Sequence, residues 1–463
     1  MLWVDNANIP RCRVVPRARF ERAAFKLELT SALQSVPSTA DVAFNPPVGV
    51  VELSPDRRDG AEPTLYDISA WMPDTRAAFG DMRQPGGAAW NLCPRTFLRR
   101  QERKLRAELG AHATIGFELE FQLLHGDADA PPLAPVDSSL YAEVRAFYPR
   151  GSAATAATAS SWDVLRDIVE CLQRDLGIAV FQYHPESASG QFEISIGYYD
   201  DGDATATAAS GSAACGPGGS LVDAVDKLVL ARLSVHGIAA KHGLRATFVP
   251  KLRMNEAGSG AHVHLGLVDA ASGANLFAAR TATASAFVAG ILEALPGMLL
   301  LLASSGNSYE RFQASCWAGA FCCYGFENRE APIRLIGASA SLPANAMAGV
   351  DHFEVKSVDA TANPYIAVGA LLAAGMAGVR RGAVLPDPVQ VDPAAASSDR
   401  TLPRLPESLS AAIAAFEQSW DELWNDALSP EYAALLVRLR KYEEAQSADL
   451  PREMRLAQLM KRF

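Results

Sequence analysis

Apolar and polar residues alternate from Thr114 to Leu124, which predicts a strand: Phe117, Leu119 and Phe121 fall on one side, Glu118 and Glu120 on the other. The same two-residue repeat runs from His352 to Val358, with Phe353, Val355 and Ser357 opposed to Glu354 and Lys356. After Gly258-Ser259-Gly260, His262 and His264 share one side of a further strand. Shorter strands are predicted at Trp3-Val4-Asp5, Val14-Val15-Pro16, Val48 to Leu53 and Thr247 to Lys251, with a turn at Ser54-Pro55-Asp56. Helical spacing predicts a helix from Pro94 to Leu109 and another from Trp162 to Asp175. Ser220 caps a third that ends at Gly243, and Asn363-Pro364-Tyr365 opens a fourth that reaches Arg381. From Ser408 to Phe463 the pattern is helical, with breaks at Ser429-Pro430 and Leu450-Pro451. Asp203 to Gly219 is almost entirely Ala, Thr, Gly and Ser and reads as a mobile surface loop; Val384 to Pro406 reads as a linker or wrapped loop.

These elements divide into a small β-rich domain over residues 1–90 and a larger mixed domain over 91–463. With 463 residues, 49% hydrophobic and 20% charged, the chain has ample material for a large core. The net charge of −10 argues against nucleic acid or an anionic membrane as the main partner and leaves small-molecule substrates. Seven cysteines without a CxxC pair favour a reducing compartment, hence the cytoplasm. The most apolar run, near Leu295 to Ala303, is too short to span a bilayer and contains Pro296 and Gly297. The Arg-rich start suggests a transit peptide by composition, but the strands predicted there favour a folded domain, one that begins short at its front.

Candidate chemistry lies in four regions: Glu118 and Glu120, Glu186 and Glu193, His262, and Glu354. Any one carboxylate on an alternating strand reads equally well as a solvated outer face. Five carboxylates and an imidazole set among apolar residues are costly to bury unless cations neutralise them, which points to a pair of divalent metals holding nucleotide phosphates. Arg311, Arg329 and Arg334 arrive on apolar or aromatic segments, and the guanidinium fork suits phosphate and carboxylate.

The motif series Gly-Phe-Glu-x-Glu-Phe from Gly116, Gly-Gln-x-Glu from Gly190, Gly-Ser-Gly-x-His-x-His from Gly258, Asn-Ser-Tyr-x-Arg from Asn307, then Asn-Arg, Ile-Arg and Asn-Pro-Tyr resembles the glutamine synthetase family in both residues and order. The resemblance runs from Trp3 to about Glu443. It implies an α+β fold: a small β-grasp N-terminal domain, then a catalytic α/β domain with a curved antiparallel sheet. It also implies homo-oligomeric rings with sites between subunits, ATP, and two or more Mg²⁺ or Mn²⁺ ions per site. By resemblance, Glu120, Glu186 and Glu193 hold one metal, and Glu118, His262 and Glu354 the second. His264, Arg329 and Arg334 face the nucleotide and the phosphoryl group in transfer. Arg311 holds the glutamate carboxylate, and Gly258 approaches the amino group.

The departures from the family pattern fall around the amine. Ammonia-using members carry a glutamate six residues after the Asn-Ser-Tyr-x-Arg arginine; here that position is Trp317, and Ala43 to Asp56 offers no counterpart of the family's Asp-Gly-Ser loop. An indole packs an organic amine or holds its cation for about 0.5–2 kcal/mol; the plain alternative for Trp317 is a buried core aromatic. Lys356 stands where the family has arginine near the acid substrate, Ala257 replaces an asparagine, and Gly266 a serine. The expected activity is ATP-dependent joining of glutamate to an amine larger than ammonia through an acyl phosphate. The alternatives are glutamine synthetase itself and a catalytically inactive structural or signalling protein on the same fold.

Overall fold

The computed structural model describes residues 1–22, 25–40, 42–45, 48–57, 62–126, 134–136, 141–147, 160–197, 220–279, 281–314, 316–337, 350–396 and 402–463. The loop expected at 203–219 lies outside them. Mixed helices and sheets make up the fold. The N-terminal part builds small sheets from β1 (Leu2–Val4), β2 (Pro10–Cys12), β3 (Leu27–Thr30), β4 (Val50–Pro55), β5 (Tyr66–Asp67), β6 (Arg76–Ala77) and β7 (Gly80–Arg83). β3, β4 and β7 form a three-stranded sheet, while β1–β2 and β5–β6 are separate pairs.

Two expectations fail here. Val14-Val15-Pro16 is not a strand; the hairpin partner of Trp3 is Arg11, because Asn6, Ala7 and Asn8 make the turn earlier, with Asp5 Oδ1 accepting from the Ala7 and Ile9 N–H groups. Ser54 and Pro55 end β4 rather than forming a turn.

The large sheet runs β10 (Val180–Pro185), β11 (Gln191–Ile196), β8 (Ala111–His125), β13 (Val263–Asp269), β16 (His352–Val355), β15 (Ile333–Ile336), β14 (Tyr324–Phe326), with β9 (Ala134–Pro135) and β12 (Arg245–Thr247) also paired to β8. It is antiparallel as expected except at one edge, where β14 and β15 run parallel across the Glu327–Pro332 turn. Two expected strands differ. β12 lies earlier than expected and shares only Thr247 with the expected stretch, since Pro250 beyond it has no N–H for a ladder; β16 is shorter and stops at Val355.

Alternation along β8 sorts its side chains as predicted. Phe117, Leu119, Phe121 and Leu123 are buried against helices on one face, and Glu118 and Glu120 stand on the other. The helices over this core are Pro94–Leu109, Ser161–Glu170 (continued by a wider turn over Cys171–Asp175), Leu221–Lys241, Ala282–Leu302 and Pro364–Arg381. Ser220 caps the third by accepting from the Val222 N–H, and Asn363 caps the fifth by accepting from Tyr365 and Ile366.

The Ala282–Leu302 helix corrects the reading of the apolar run: it has 21 residues and carries Pro296 inside it. Pro296 leaves the Leu292 carbonyl without its helical donor, and the Cys322 thiol donates to that oxygen at 3.4 Å. By length and composition this helix could cross a bilayer, but 83% of its most apolar stretch is buried inside the protein, as a core helix is. It crosses Pro364–Arg381 at Gly290 and Gly378, where a Cβ on Gly378 would meet the Gly290 Cα at 2.5 Å.

The N-terminal sheets are bound to this body by polar side chains. Asn363 Nδ2 donates to the Asp5 carbonyl at 2.8 Å, Asn8 Nδ2 to Ala360 O at 2.8 Å, and Tyr432 Oη to Asn6 Oδ1 at 2.8 Å. Arg95, 2% exposed, forms a bidentate pair with Asp226 (3.0 and 2.7 Å) and also binds Asp56 (3.0 Å) and Asp81. Arg99 backs it, on Asp56 at 2.8 Å and Asp81 at 3.1 Å. The described cysteines are all free thiols.

Candidate active site

Strand register assembles the polar face. Across β10, β11 and β8, His184 lies opposite Glu193, and Glu193 opposite Glu120. Across β8, β13, β16 and β15, Gly116 lies opposite His264, His264 opposite Glu354, and Glu354 opposite Arg334. Just before β13 the chain still pairs with β8: Glu118 N–H donates to His262 O (3.1 Å) and Glu120 N–H to Gly260 O (3.3 Å). Residues scattered from Gly116 to Glu354 therefore stand in two rows on one face.

Among the described residues, three trios have ligating atoms within 4.8 Å of one another: Glu118, His262 and Glu354; Glu118, Glu120 and Glu193; and His184, Glu186 and Glu193. The first is the set expected for a second metal. The set expected for the other metal divides between two trios that share Glu193, and His184 joins Glu186 there. His184 Nε2 lies 3.5 Å from Glu193, whose hydrogen bond raises the imidazole to about 9.

The charges on the face are unevenly balanced. Glu354, fully buried, accepts from Arg334 Nε at 2.6 Å and Lys356 Nζ at 3.1 Å, with His262 Nδ1 3.1 Å away. Burial would raise Glu354, but Lys356, His262 and Arg334 outweigh it and hold it well below the carboxylate range. His262 also meets Glu118 at 2.8 Å. Burial and Lys356 oppose its charge, yet Glu120, Glu118 and Glu354 together raise it to about 9.

On the opposite side, burial raises Glu120, and burial with the charges of Glu120 and Glu193 pushes Glu186 up to about 7. That side holds more negative charge than its own cations neutralise. The undercompensated Glu118, Glu120 and Glu193 set is all oxygen and fits a hard divalent cation, while the imidazoles of the other two trios also suit Mn²⁺.

The face opens into a cavity of about 450 Å³ lined by Glu118, Glu120, Glu186, Glu193, His262, Gly258, Arg311, Trp317, Arg329, Arg334 and Lys356, with Tyr141, Gln182 and His184 among the others. Of the site residues singled out in the sequence, Glu354 and His264 stand behind this lining. His264 Nε2 meets Glu118 at 3.0 Å and its Nδ1 meets His352 Nε2 at 3.0 Å; burial and His264 lower His352 to about 3. A larger cavity, about 510 Å³, lies among the C-terminal helices and touches none of the three trios, so convergence of ionisable groups singles out the smaller one.

Gly258 must be glycine, since a Cβ there would meet Pro250 O at 2.5 Å and Arg311 Cγ at 2.6 Å. Arg311 is buried and gives its terminal nitrogens to backbone: Lys356 O at 2.8 and 3.2 Å and Val358 O at 3.1 Å. Gln191, which the sequence offered only as a motif letter, joins the two walls. Its amide donates to Gly258 O at 2.9 Å, Ser259 Oγ at 3.1 Å and Glu120 at 3.2 Å.

Trp317 is not a core aromatic. It is 50% exposed and sits at φ 55, a conformation an aromatic residue adopts only when its surroundings fix it, at about 1–2 kcal/mol.

Comparison with known proteins agrees with this geometry. A profile described as "Glutamine synthetase, catalytic domain" matches residues 91–209 and 217–459. A gamma-glutamylpolyamine synthetase, GlnA3, from Streptomyces coelicolor is 33% identical over 95% of this chain and 88% of its own length. A glutamate–isopropylamine ligase from a Pseudomonas species is 26% identical over 86% of this chain and 80% of its own. Among solved structures, an ADP complex of GmaS superposes with a TM-score of 0.77 at 23% identity, covering 98% of this chain and 95% of that one, which establishes the fold. Enzymes of this family use ATP and divalent metals. On the profile match over most of its length and on the Streptomyces relative, the chain belongs to the glutamine synthetase family of ligases.

Proposed function

We propose that this chain joins the γ-carboxylate of glutamate to an organic amine at the expense of ATP. The observation that carries the reading is a half-exposed indole on the wall of the cavity that also holds the carboxylate–imidazole trios. Two relatives named for organic amines, a polyamine and isopropylamine, support it. In this reading the chain divides into an N-terminal domain (1–90) and a catalytic domain (91–463), and copies assemble into a ring with sites between subunits.

Glu118, Glu120, Glu186, Glu193, His262 and Glu354 hold the divalent ions, with His184 beside them. The bound metals supply neutralisation of the phosphoryl charge. Arg329 and Arg334 set guanidinium charge on the nucleotide phosphates, and His264 orients Glu118. Arg311, Gly258 and Lys356 form the wall for the acid substrate. A carboxylate is a poor electrophile. Transfer of the γ-phosphoryl group makes an acyl phosphate and releases ADP, and the amine then forms the C–N bond as phosphate leaves. Trp317 presents its π face to the incoming amine in place of a carboxylate that would hold ammonium.

Phosphate release with glutamate, ATP and Mg²⁺ tests this, with ammonia, isopropylamine and putrescine compared as nucleophiles. Turnover is expected with an organic amine; saturation by ammonia at low concentration without response to the others overturns the reading. Trp317→Ala is expected to raise the KM for the organic amine by roughly 2- to 30-fold, the range of one cation–π contact, and to leave those for ATP and glutamate nearly unchanged. For an inactive protein on this fold, Glu193→Ala would leave nucleotide affinity in Mn²⁺ as it was.

A further inference from the structure

Trp317 combines a left-handed backbone with an indole half in solvent, so neither conformational preference nor burial fixes it. The group that does is Glu330. Both of its carboxylate oxygens accept from the Trp317 N–H, each at 3.3 Å. Glu330 is itself held. Its N–H donates to Asn328 Oδ1 at 3.1 Å, and Asn328 Nδ2 donates to Val389 O at 2.7 Å and Val391 O at 3.0 Å. Those residues are tied to the sheet edge by Val389 N–H on Tyr324 O (2.8 Å) and by Gln390 Oε1, which accepts from Phe326 N–H at 2.9 Å. Two residues after Trp317, Gly319 lies so close to Pro332 that a Cβ would meet that ring at 2.7 Å. The loop bearing Trp317 is thus pinned at two points to the turn that carries Arg329.

Resting on the proposed function, we infer that Glu330 is the positioning residue for the amine: its carboxylate clamps the Trp317 backbone so that the indole stands at the cavity wall and selects organic amines. The charge of Glu330 is not what the amine meets. Glu330 does not line the cavity, Trp317 does, and the two oxygens point at a backbone N–H. The charged groups facing Glu330 from other elements are Asp392 and Lys356, of opposite effect; burial and Asp392 raise the carboxyl on balance, while the Trp317 N–H and Lys356 lower it. The adjacency of Arg329 and Glu330 means one turn builds both the cationic wall and the amine wall.

The test compares Glu330→Ala, which removes the acceptor, with Glu330→Gln, which keeps one oxygen acceptor and loses the charge. With putrescine as probe, Glu330→Ala is expected to raise its KM about tenfold while the KM values for ATP and glutamate stay within about twofold, and Glu330→Gln to restore most of the loss. Combined with Trp317→Ala it is expected to add nothing further, because both act through one indole. Unchanged amine kinetics in Glu330→Ala overturn the inference, and so does a Glu330→Gln variant as impaired as Glu330→Ala, which would make the carboxylate a direct partner of the cation. A second readout needs no amine: acrylamide quenching of the Trp317 fluorescence, isolated by subtracting the matching Trp317→Phe protein, is expected to rise in Glu330→Ala. If wild type releases no phosphate with putrescine or isopropylamine, the proposed function falls, and quenching alone then decides whether Glu330 clamps Trp317.

Discussion

Glu354→Gln is expected to lower ATP-dependent phosphate release by about 10²- to 10³-fold and to reduce the stabilisation of the protein by Mn²⁺. Glu354 is the most enclosed member of the first trio, and three cationic groups, Arg334, Lys356 and His262, converge on it. Glutamine keeps its volume but cannot balance them. Glu354→Ala removes the acceptor altogether and leaves buried cations facing one another, at a cost of about 3–5 kcal/mol in folding stability. The two variants separate metal loss from unfolding. In the wild type, Mn²⁺ added above its Kd raises the melting temperature by mass action, and a chelator reverses the rise. In Glu354→Gln the metal-free melting temperature should fall less than in Glu354→Ala, because an acceptor remains, while the Mn²⁺-dependent rise shrinks to what the two trios without Glu354 supply. A rise as large as the wild-type one in Glu354→Gln would remove Glu354 from the proposed ligands.

Which parts of this site a sequence can carry follows from what determines them. The alternation on β8 is local, so Phe117, Leu119 and Phe121 against Glu118 and Glu120 is visible at once, and the structure follows it. Pairing register is not local. His184 beside Pro185 looks like a strand end, and only its place opposite Glu193 brings it to the polar face. The division of Glu120 and Glu186 between two trios depends on that same register. The Ala282–Leu302 helix escapes for the opposite reason. It is apolar on all sides and has no stripe to read, and Pro296 is tolerated because the Cys322 thiol, 30 residues away along the chain, reaches the freed carbonyl. Trp317 is legible as a substitution at a key position. Its left-handed backbone and its clamp by Glu330 arise from a contact 13 residues along the chain, which no propensity reports.

The second large effect is expected far from the chemistry. Arg95→Leu should destabilise the protein by about 3–5 kcal/mol, read as a fall in the urea midpoint, because it strips a guanidinium from Asp56, Asp81 and Asp226, of which Arg99 backs Asp56 and Asp81. Asp226 fares worst: it is buried in the Leu221–Lys241 helix, and it would keep only Tyr365 Oη, which donates at 2.5 Å. The loss acts where β4, β7 and two helices of the main body meet, so it loosens the N-terminal sheets from the main body. Its pH dependence has a definite sign. In the wild type, burial opposes ionisation of Asp56, but Arg95 and Arg99 outweigh it and hold the group down to about 2, below its unfolded value of 3.8. Its contribution is therefore present above pH 3.8 and is lost as the pH falls through about 2. Burial already raises Asp226 above its unfolded value in the wild type, with Arg95 and Tyr365 opposing it; without Arg95 the group is raised further. Such a group favours folding at low pH and penalises it as the pH rises through the folded pKa. The deficit of Arg95→Leu relative to wild type should accordingly be largest near neutrality and shrink on acidification toward 3.8, the unfolded value, as the orphaned carboxylates take up protons. A deficit that stays constant across that window would mean the loss comes from side-chain packing, with the charge cluster contributing little to the docking of the N-terminal sheets.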